Sequence, residues 1–380
     1  MHKKLKTVMR LAVIVLCCWI LYWLYSLNYL SPMKSDDSKF ILHDNKNTRT
    51  FQMENKTTQR QQLYNNSQIL FPFANVTRQS SEILNSNWVA QLKTTLATTN
   101  SHVTIVMISI QYFSTLINWL AYATIHTMPL AENLLVICGD VESHEILLRK
   151  GVRSVVVTIE DVAINESQFN EVLFGGKMLV RLTVLRLLNF WGYDVLQMDS
   201  DAIILNNILP ILDHFGDNDI IASTIEKPCT PIGVYEVWKF CVCMGVVQIK
   251  HGPRTEKMWK RMAHMPITKY GCDQTRINNM LVSSNITWTP VKYERHRYLQ
   301  GTPADNSFTI VTLPQDVVCR SLCYQDKLSS YYIYHPDTLH HAMLKGRFLL
   351  QHHVWKVADD WKNTVDSVQP MVEWLNEVTT

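Results

Sequence analysis

Charge is scarce in this sequence: 18% of its 380 residues are Asp, Glu, Lys or Arg, against 47% hydrophobic. That balance excludes a chain disordered throughout and supplies apolar material for one large globular domain. From Leu11 to Leu30, LAVIVLCCWILYWLYSLNYL, charge is missing altogether, over 20 residues. A helix of that length rises about 30 Å, the thickness of a bilayer's hydrocarbon core. No small-residue cleavage pattern follows, SLNYLSPM being bulky where a signal peptidase wants small side chains, so the run reads as a retained anchor rather than a cleaved signal. Lys3, Lys4, Lys6 and Arg10 flank its N-terminal side only. This asymmetry puts residues 1–10 in the cytosol and everything after Leu30 in a lumen or outside, a single-pass type II arrangement. Tyr22, Trp23, Tyr25 and Tyr29 cluster toward the exit side, as an interfacial aromatic belt does.

Net basic charge is also missing beyond the anchor. The formal net charge is +3, and removing the +4 carried by those four residues leaves −1 for the rest, which speaks against nucleic acid as a partner. Glycine and cysteine are both absent from residues 31–100, a stretch rich in Asn, Gln, Ser and Thr that cannot bury enough surface to offset its ordering entropy. It carries three N-x-S/T acceptors, Asn55, Asn65 and Asn75, with two more further on at Asn165 and Asn285. Together with the anchor, it reads as a glycosylated flexible stem holding a domain, residues 101–380, away from a membrane. No internal repeat is present. Of nine cysteines, Cys17 and Cys18 lie in the anchor and seven beyond it, so in an oxidising lumen some pair and at least one is left over. The alternative use of Cys241-x-Cys243 with Cys319-x3-Cys323, a zinc site, has spacings that fit a zinc ribbon poorly.

At His102 the texture changes. VTIVMISI is a continuous β-branched run of the kind buried on both faces of a sheet, and apolar positions then recur at helical spacing from Tyr112 to His126. A strand LLVICGD, a helix near Glu142 to Lys150, a strand SVVVTI, a long helix from Lys177 to Trp191 and a strand VLQMD follow. Such alternation implies right-handed crossovers and a mainly parallel α/β sheet with helices on both faces, with ligands beyond the C-terminal strand ends. At one such end stands YDVLQMDSDAIIL. Alternate side chains of a strand point the same way, so Asp199 and Asp201 converge while Ser200 faces away. Two carboxylates so placed repel, and a divalent cation relieves the repulsion while bridging to a phosphate. Acidic pairs also end strands as turn or cap residues, so the pattern alone is a weak motif.

In context it is stronger. FGGKMLVRLTVLRLLNFWGYDVLQMDSDAIILNNILPIL, then DIIAS, FCVCMGVVQIK, DQTRINNML and LHHAMLKGRF, occur in the order used by the nucleotide-diphospho-sugar transferase family, which this chain resembles over roughly residues 103–347. The resemblance implies a Rossmann-like GT-A fold. It further implies a glycosyltransferase, anchored in the Golgi membrane, that moves a sugar from a nucleotide diphosphate, a UDP-sugar by preference, to a glycan or glycoprotein. It leaves a homo-oligomer open and the reaction leans to retention. Carried over by residue, Asp199 touches ribose or metal and Asp201 is the main metal ligand. His341, or its neighbour His340, completes the metal site, with His335, His352 and His353 close by in sequence so that the choice among histidines stays open, while Lys177 contacts the donor and Asp273 with Gln274 lines the sugar side as the catalytic pair. Carboxylate and imidazole ligation at a diphosphate suits Mn²⁺ somewhat better than Mg²⁺. One departure bears on sugar specificity: Cys243, Met244, Gly245 stand where relatives commonly read Asn-x-Gly. Two rivals have other chemistry: a DxD phosphatase, whose nucleophile normally sits on the first strand of its domain, and a binding protein on the same fold without turnover.

Overall fold

The computed structural model describes residues 86–97, 101–158, 161, 173–229, 232–263, 265, 273–320, 323, 325–336, 342–364 and 370–379, all within one compact unit, Leu63–Thr380. The apolar run Leu11–Leu30 and the acceptors Asn55, Asn65, Asn75 and Asn165 lie outside the described residues. Among the described residues no helix is long and apolar enough to cross a membrane.

Twelve strands are described: β1 (His102–Ile108), β2 (Leu134–Cys138), β3 (Ser154–Val156), β4 (Asp194–Asp199), β5 (Ile203–Ile204), β6 (Ile220–Ile225), β7 (Cys241–Ile249), β8 (Thr287–Tyr293), β9 (His296–Thr302), β10 (Ile310–Leu313), β11 (Val318–Cys319) and β12 (Ile333–Tyr334). Nine form one sheet in the order β3-β2-β1-β4-β7-β6-β10-β9-β8, and β11-β12-β5 form a small second sheet. Helices Phe113–His126, Val141–Arg149 and Leu173–Phe190 join the first strands as crossovers, and β3, β2, β1 and β4 pair in parallel. This half agrees with the alternation in the sequence. The other half does not, because β7 runs antiparallel to both β4 and β6, and β9 to both β10 and β8. The expectation of a mainly parallel sheet is therefore corrected to a mixed one. The cause at the β8–β9 turn is the length of the connection: Glu294 and Arg295 alone separate the strands, Glu294 in the left-handed region at φ 52°, and a link so short permits only an antiparallel hairpin.

Neighbouring side chains of β4 serve opposite faces of the sheet. Val195 joins one apolar layer with Trp88, Leu92, Ile105, Leu185 and Met280, whereas Leu196 and Met198 join the other with Leu116, Trp119, Val136 and Trp374. Each side chain of this size removed from water contributes about 1.5–3 kcal/mol, so the central strands are fixed in register by both layers. The first layer reaches back to the helix Asn87–Leu96, where Trp88, Val89, Leu92 and Leu96 form a buried helical stripe. The boundary drawn by composition at residues 100 and 101 leaves this helix in the stem; its buried stripe puts it in the core of the domain.

The cysteines pair as Cys229–Cys241 and Cys319–Cys323, which takes three of the four sulfurs from the zinc alternative. Cys138 and Cys243 are free and buried.

Candidate active site

Strand β4 delivers Asp199 to the C-terminal edge of the parallel strands, where a tight turn closed by the Ala202 N–H on the Asp199 carbonyl (2.9 Å) reverses the chain. Ser200 does face away: its hydroxyl meets Thr115 Oγ1 at 2.8 Å in the interior, on the helix Phe113–His126. Asp199 and Asp201 converge on the other side. Asp201 is buried, 1% exposed, while the Asp199 side chain keeps 31% of its surface toward solvent.

Arg181 holds Asp199. Its Nη1 donates to Asp199 Oδ1 at 2.7 Å and its Nε to Asp273 Oδ2, so one guanidinium ties the strand end to the start of the helix Asp273–Ser283. Gln197 adds a bond to the same Asp199 oxygen at 3.2 Å. The helix is pinned in turn by Asn278, whose amide exchanges two hydrogen bonds with the Val242 backbone in β7 (2.9 and 2.7 Å). Burial works to raise the Asp199 pKa, but Arg181, with help from His335 and Lys345, outweighs it and holds the carboxyl well below the usual carboxylate range. For Asp273, fully enclosed, burial dominates and the pKa is raised despite Arg181.

The third member of the cluster is His335. Its Nε2 lies 3.4 Å from Asp199 Oδ2 and 3.7 Å from Asp201 Oδ1, and one ligand atom from each of the three residues falls within 4.8 Å of the others. The small sheet brings it there: Ile203 and Ile204, just after the acidic turn, pair with Tyr334 and Ile333, just before the histidine. Beneath runs β7 at Gly245, where a Cβ would stand 2.1 Å from His335 Cε1 and 2.6 Å from Asp199 Oδ2. Only glycine permits that approach. The departure from Asn-x-Gly also falls here: the Cys243 sulfur accepts the Gly245 N–H at 3.2 Å and a bond from Arg320.

On the outer side, Lys345 Nζ donates to Asp201 Oδ2 at 2.7 Å and lies 5.5 Å from the centre of the Tyr112 ring. Burial works to lower its pKa, but Asp201 and Asp199 outweigh that and raise it. Asp201 Oδ1 is left buried without a hydrogen-bond partner among the described residues, a costly state for a carboxylate oxygen unless a cation meets it. Burial and Arg320 would lower the pKa of His335, yet Asp199, Cys243 and Asp201 together raise it. The same field that favours a proton there favours a metal ion, and Asp199 Oδ2, Asp201 Oδ1 and His335 Nε2 are the atoms that fit one.

The sequence-derived residues are thus brought together in part. Asp199, Asp201 and Asp273 share one cluster. Asp273 is spent on Arg181 and on the Gln274 N–H (2.8 Å), so it positions rather than faces an opening; Gln274 is half-buried beside it. Lys177 lies on the helix Leu173–Phe190, its side chain outside the described set, as are His340 and His341. Of the other residues here, His335 entered the sequence reading only as one of several histidines near His341, and Arg181 and Lys345 did not enter it. Two had a signal: Arg181 stands one helical turn after Lys177, and YYIYH is a β-rich run ending in an imidazole.

Solved structures with a distant likeness to this one include the bifunctional glycosyltransferase WbbM in its apo form, with a TM-score of 0.44, 10% identity and 70% of this chain covered, which spans 51% of that protein. The galactosyltransferase LgtC in complex with donor and acceptor sugar analogues gives a TM-score of 0.40 at 13% identity, over 68% of this chain and 99% of that one. Mouse xyloside xylosyltransferase 1, apo form, gives 0.40 at 10% identity, over 62% and 97%. No curated protein matches significantly in sequence. The sequence model of one family covers residues 129–347, more than half of the chain and every residue of the cluster, and by that match the chain belongs to the nucleotide-diphospho-sugar transferase family and is a nucleotide-sugar glycosyltransferase.

Proposed function

We propose that the chain is a divalent-metal-dependent transferase that moves a sugar from a UDP-sugar to a glycan or glycoprotein in the secretory pathway, with retention at the anomeric carbon. The observation that carries the metal dependence is the convergence of Asp199 Oδ2, Asp201 Oδ1 and His335 Nε2, with the Asp201 oxygen buried and unpartnered. Mn²⁺ suits this mixed carboxylate and imidazole set, with Mg²⁺ the alternative. When bound, the ion supplies Lewis-acid stabilisation of the departing diphosphate.

The protein's own groups do the rest. Arg181 fixes Asp199 in one rotamer, so the cluster needs little reorganisation when charge develops. Lys345, 20% exposed at the rim, brings a positive charge toward the same leaving group. The family resemblance assigns Lys177 to the donor and Gln274 to the sugar side. Two disulfides favour an oxidising compartment, and Asn285 is exposed at a turn where an acceptor asparagine is reachable. Both agree with a type II protein of the Golgi membrane held by residues 11–30.

Calorimetric titration of UDP, with and without Mn²⁺, into the wild-type chain and Asp201→Asn tests the metal site. Binding that requires Mn²⁺ in the wild type and collapses in the variant is expected; equal affinity in both overturns it. Hydrolysis of UDP-sugars by the wild type, measured alongside, separates an enzyme from a binding protein on the same fold.

A further inference from the structure

A second cluster of polar and aromatic side chains lies at the same end of the sheet and takes no part in the metal site. Strands β4, β6 and β10 all end C-terminally at the edge that carries Asp199. Because β9 runs antiparallel to β10, pairing Thr312 with Leu299, its first residue and the β8–β9 turn lie at that edge too. There Tyr293 stacks on His214 with ring centres 3.7 Å apart and planes 17° from parallel, and Tyr332 donates its phenol to Glu294 Oε2 at 3.2 Å. His296 Nδ1 is bonded to Asp316 Oδ2 at 2.8 Å, and the Asp316 side chain remains 56% exposed. Below them Tyr298 is fully buried, and its hydroxyl has no hydrogen-bond partner among the described residues. Burial, and then Tyr332, Asp316 and Glu294, push the Tyr298 pKa up, so this phenol stays protonated.

The cluster is tied to the metal site by one short strand. Tyr332 precedes His335 by three residues across β12, which at about 3.3 Å per extended residue sets them about 10 Å apart. The Leu205 and Asn206 N–H groups, downstream of the acidic turn, both donate to the Tyr332 carbonyl (2.8 and 3.1 Å). The cluster is therefore rigid with respect to Asp201.

We infer that the half-buried Tyr293 and Tyr332, with Glu294 and Asp316, form a subsite for the inner sugars of a neutral oligosaccharide acceptor. This rests on the transferase reading in taking the ligand to be an acceptor. Aromatic faces pack against the C–H faces of sugar rings, and carboxylates accept from several hydroxyls at once. Two carboxylates repel sulfated, sialylated or uronate-bearing chains. Arg295, whose guanidinium donates to the Ser330 carbonyl and His296 Nε2, offsets one of the two carboxylates and leaves these three groups net negative.

The test is an array of immobilised glycans, neutral and anionic and of increasing length, probed with the full-length chain in non-ionic detergent with UDP and Mn²⁺. The wild type should retain neutral oligosaccharides and not the corresponding monosaccharides. Tyr332→Ala and Tyr293→Ala should retain them roughly tenfold less well, the equivalent of about 1.4 kcal/mol, and Tyr332→Phe should fall between. His214→Ala, on an exposed side chain that folding does not need, should weaken retention in the same direction. Thermal midpoints and UDP calorimetry on the same proteins separate the causes. A cluster that only packs the hairpin would lower the midpoint and leave retention alone, which overturns the subsite. Retention of anionic glycans, or of no glycan, by the wild type overturns it as well. Loss of UDP binding by the wild type with glycan retention intact removes the transferase reading and leaves the subsite standing.

Discussion

The two carboxylates of the acidic turn sit one residue apart and are held in opposite ways. Asp199 is secured from the core: Arg181 on a long crossover helix, Gln197 on its own strand and Asp273 behind them form a continuous chain of bonds. Asp201 is secured from the periphery, by Lys345 on the helix Ala342–Gln351, and one of its oxygens remains unspent. The difference separates rigidity from availability. A site that must bind and release a charged ligand is anchored on one flank and left unsatisfied on the other.

Arg181→Met is the strongest way to break the comparison. It leaves Asp273 buried without its counter-charge and Asp199 without its main partner, and an uncompensated buried charge costs about 3–5 kcal/mol. The loss should be read by urea denaturation of the domain. If it is no larger than the loss in Lys345→Met, the core flank is not the stronger one. Gly245→Ala comes next. Its new methyl would stand within van der Waals distance of His335 and Asp199 together, so His335 must move, at about 1–3 kcal/mol of overpacking. Mn²⁺-dependent UDP binding should fall with it, although no ligand atom has been changed; retained binding would mean that β7 can shift away at little cost.

These residues divide according to whether local pattern or long-range pairing places them. The strands VTIVMISI, LLVICGD and VLQMD, and the helices between them, were legible because burial on both faces writes continuous apolar runs, and the acidic pair was legible because period two in a strand is local. His335 was legible only as one histidine among several, since it reaches the site through the pairing of Ile203 with Tyr334, a long-range contact that sequence spacing does not record. The reversed strands β7 and β9 were missed because alternation of strand and helix says nothing about direction when a connection folds straight back. The helix Asn87–Leu96 hid behind its composition: its Asn, Gln and Thr face outward, and only the spacing of Trp88, Leu92 and Leu96 betrays a buried stripe.

Asp201→Asn sharpens the comparison on the peripheral flank. Two carboxylates facing each other repel, and on that ground alone neutralising one costs little stability or even raises it. The structure adds Lys345 at 2.7 Å, which loses its charged partner in the variant. Because that lysine is partly exposed and can turn to water, the expected cost is about 1 kcal/mol, below that of Arg181→Met. Lys345→Met should cost a similar amount in stability and weaken UDP binding while keeping its Mn²⁺ dependence, whereas Asp201→Asn should abolish the Mn²⁺-dependent binding. Calorimetry with and without the metal distinguishes the two.

The smallest effect concerns the residue between the carboxylates. Thr115 Oγ1 donates to the Tyr112 carbonyl at 2.6 Å, so its single proton is spent, and in the 2.8 Å contact with Ser200 the serine must be the donor. Ser200→Ala then removes a donor from an acceptor that can do without it, and should cost about 0.5–1.5 kcal/mol. Thr115→Val leaves the Ser200 hydroxyl buried with its partner gone, and should cost more, about 1–3 kcal/mol. In the double variant both polar groups are gone, so the combined loss should be smaller than the sum of the two. Because Ser200 points away from Asp199 and Asp201, none of these proteins should lose Mn²⁺-dependent UDP binding. If Ser200→Ala loses it as completely as Asp201→Asn does, the turn does not sort its three side chains to opposite sides, and the division between an anchored and an available flank fails with it.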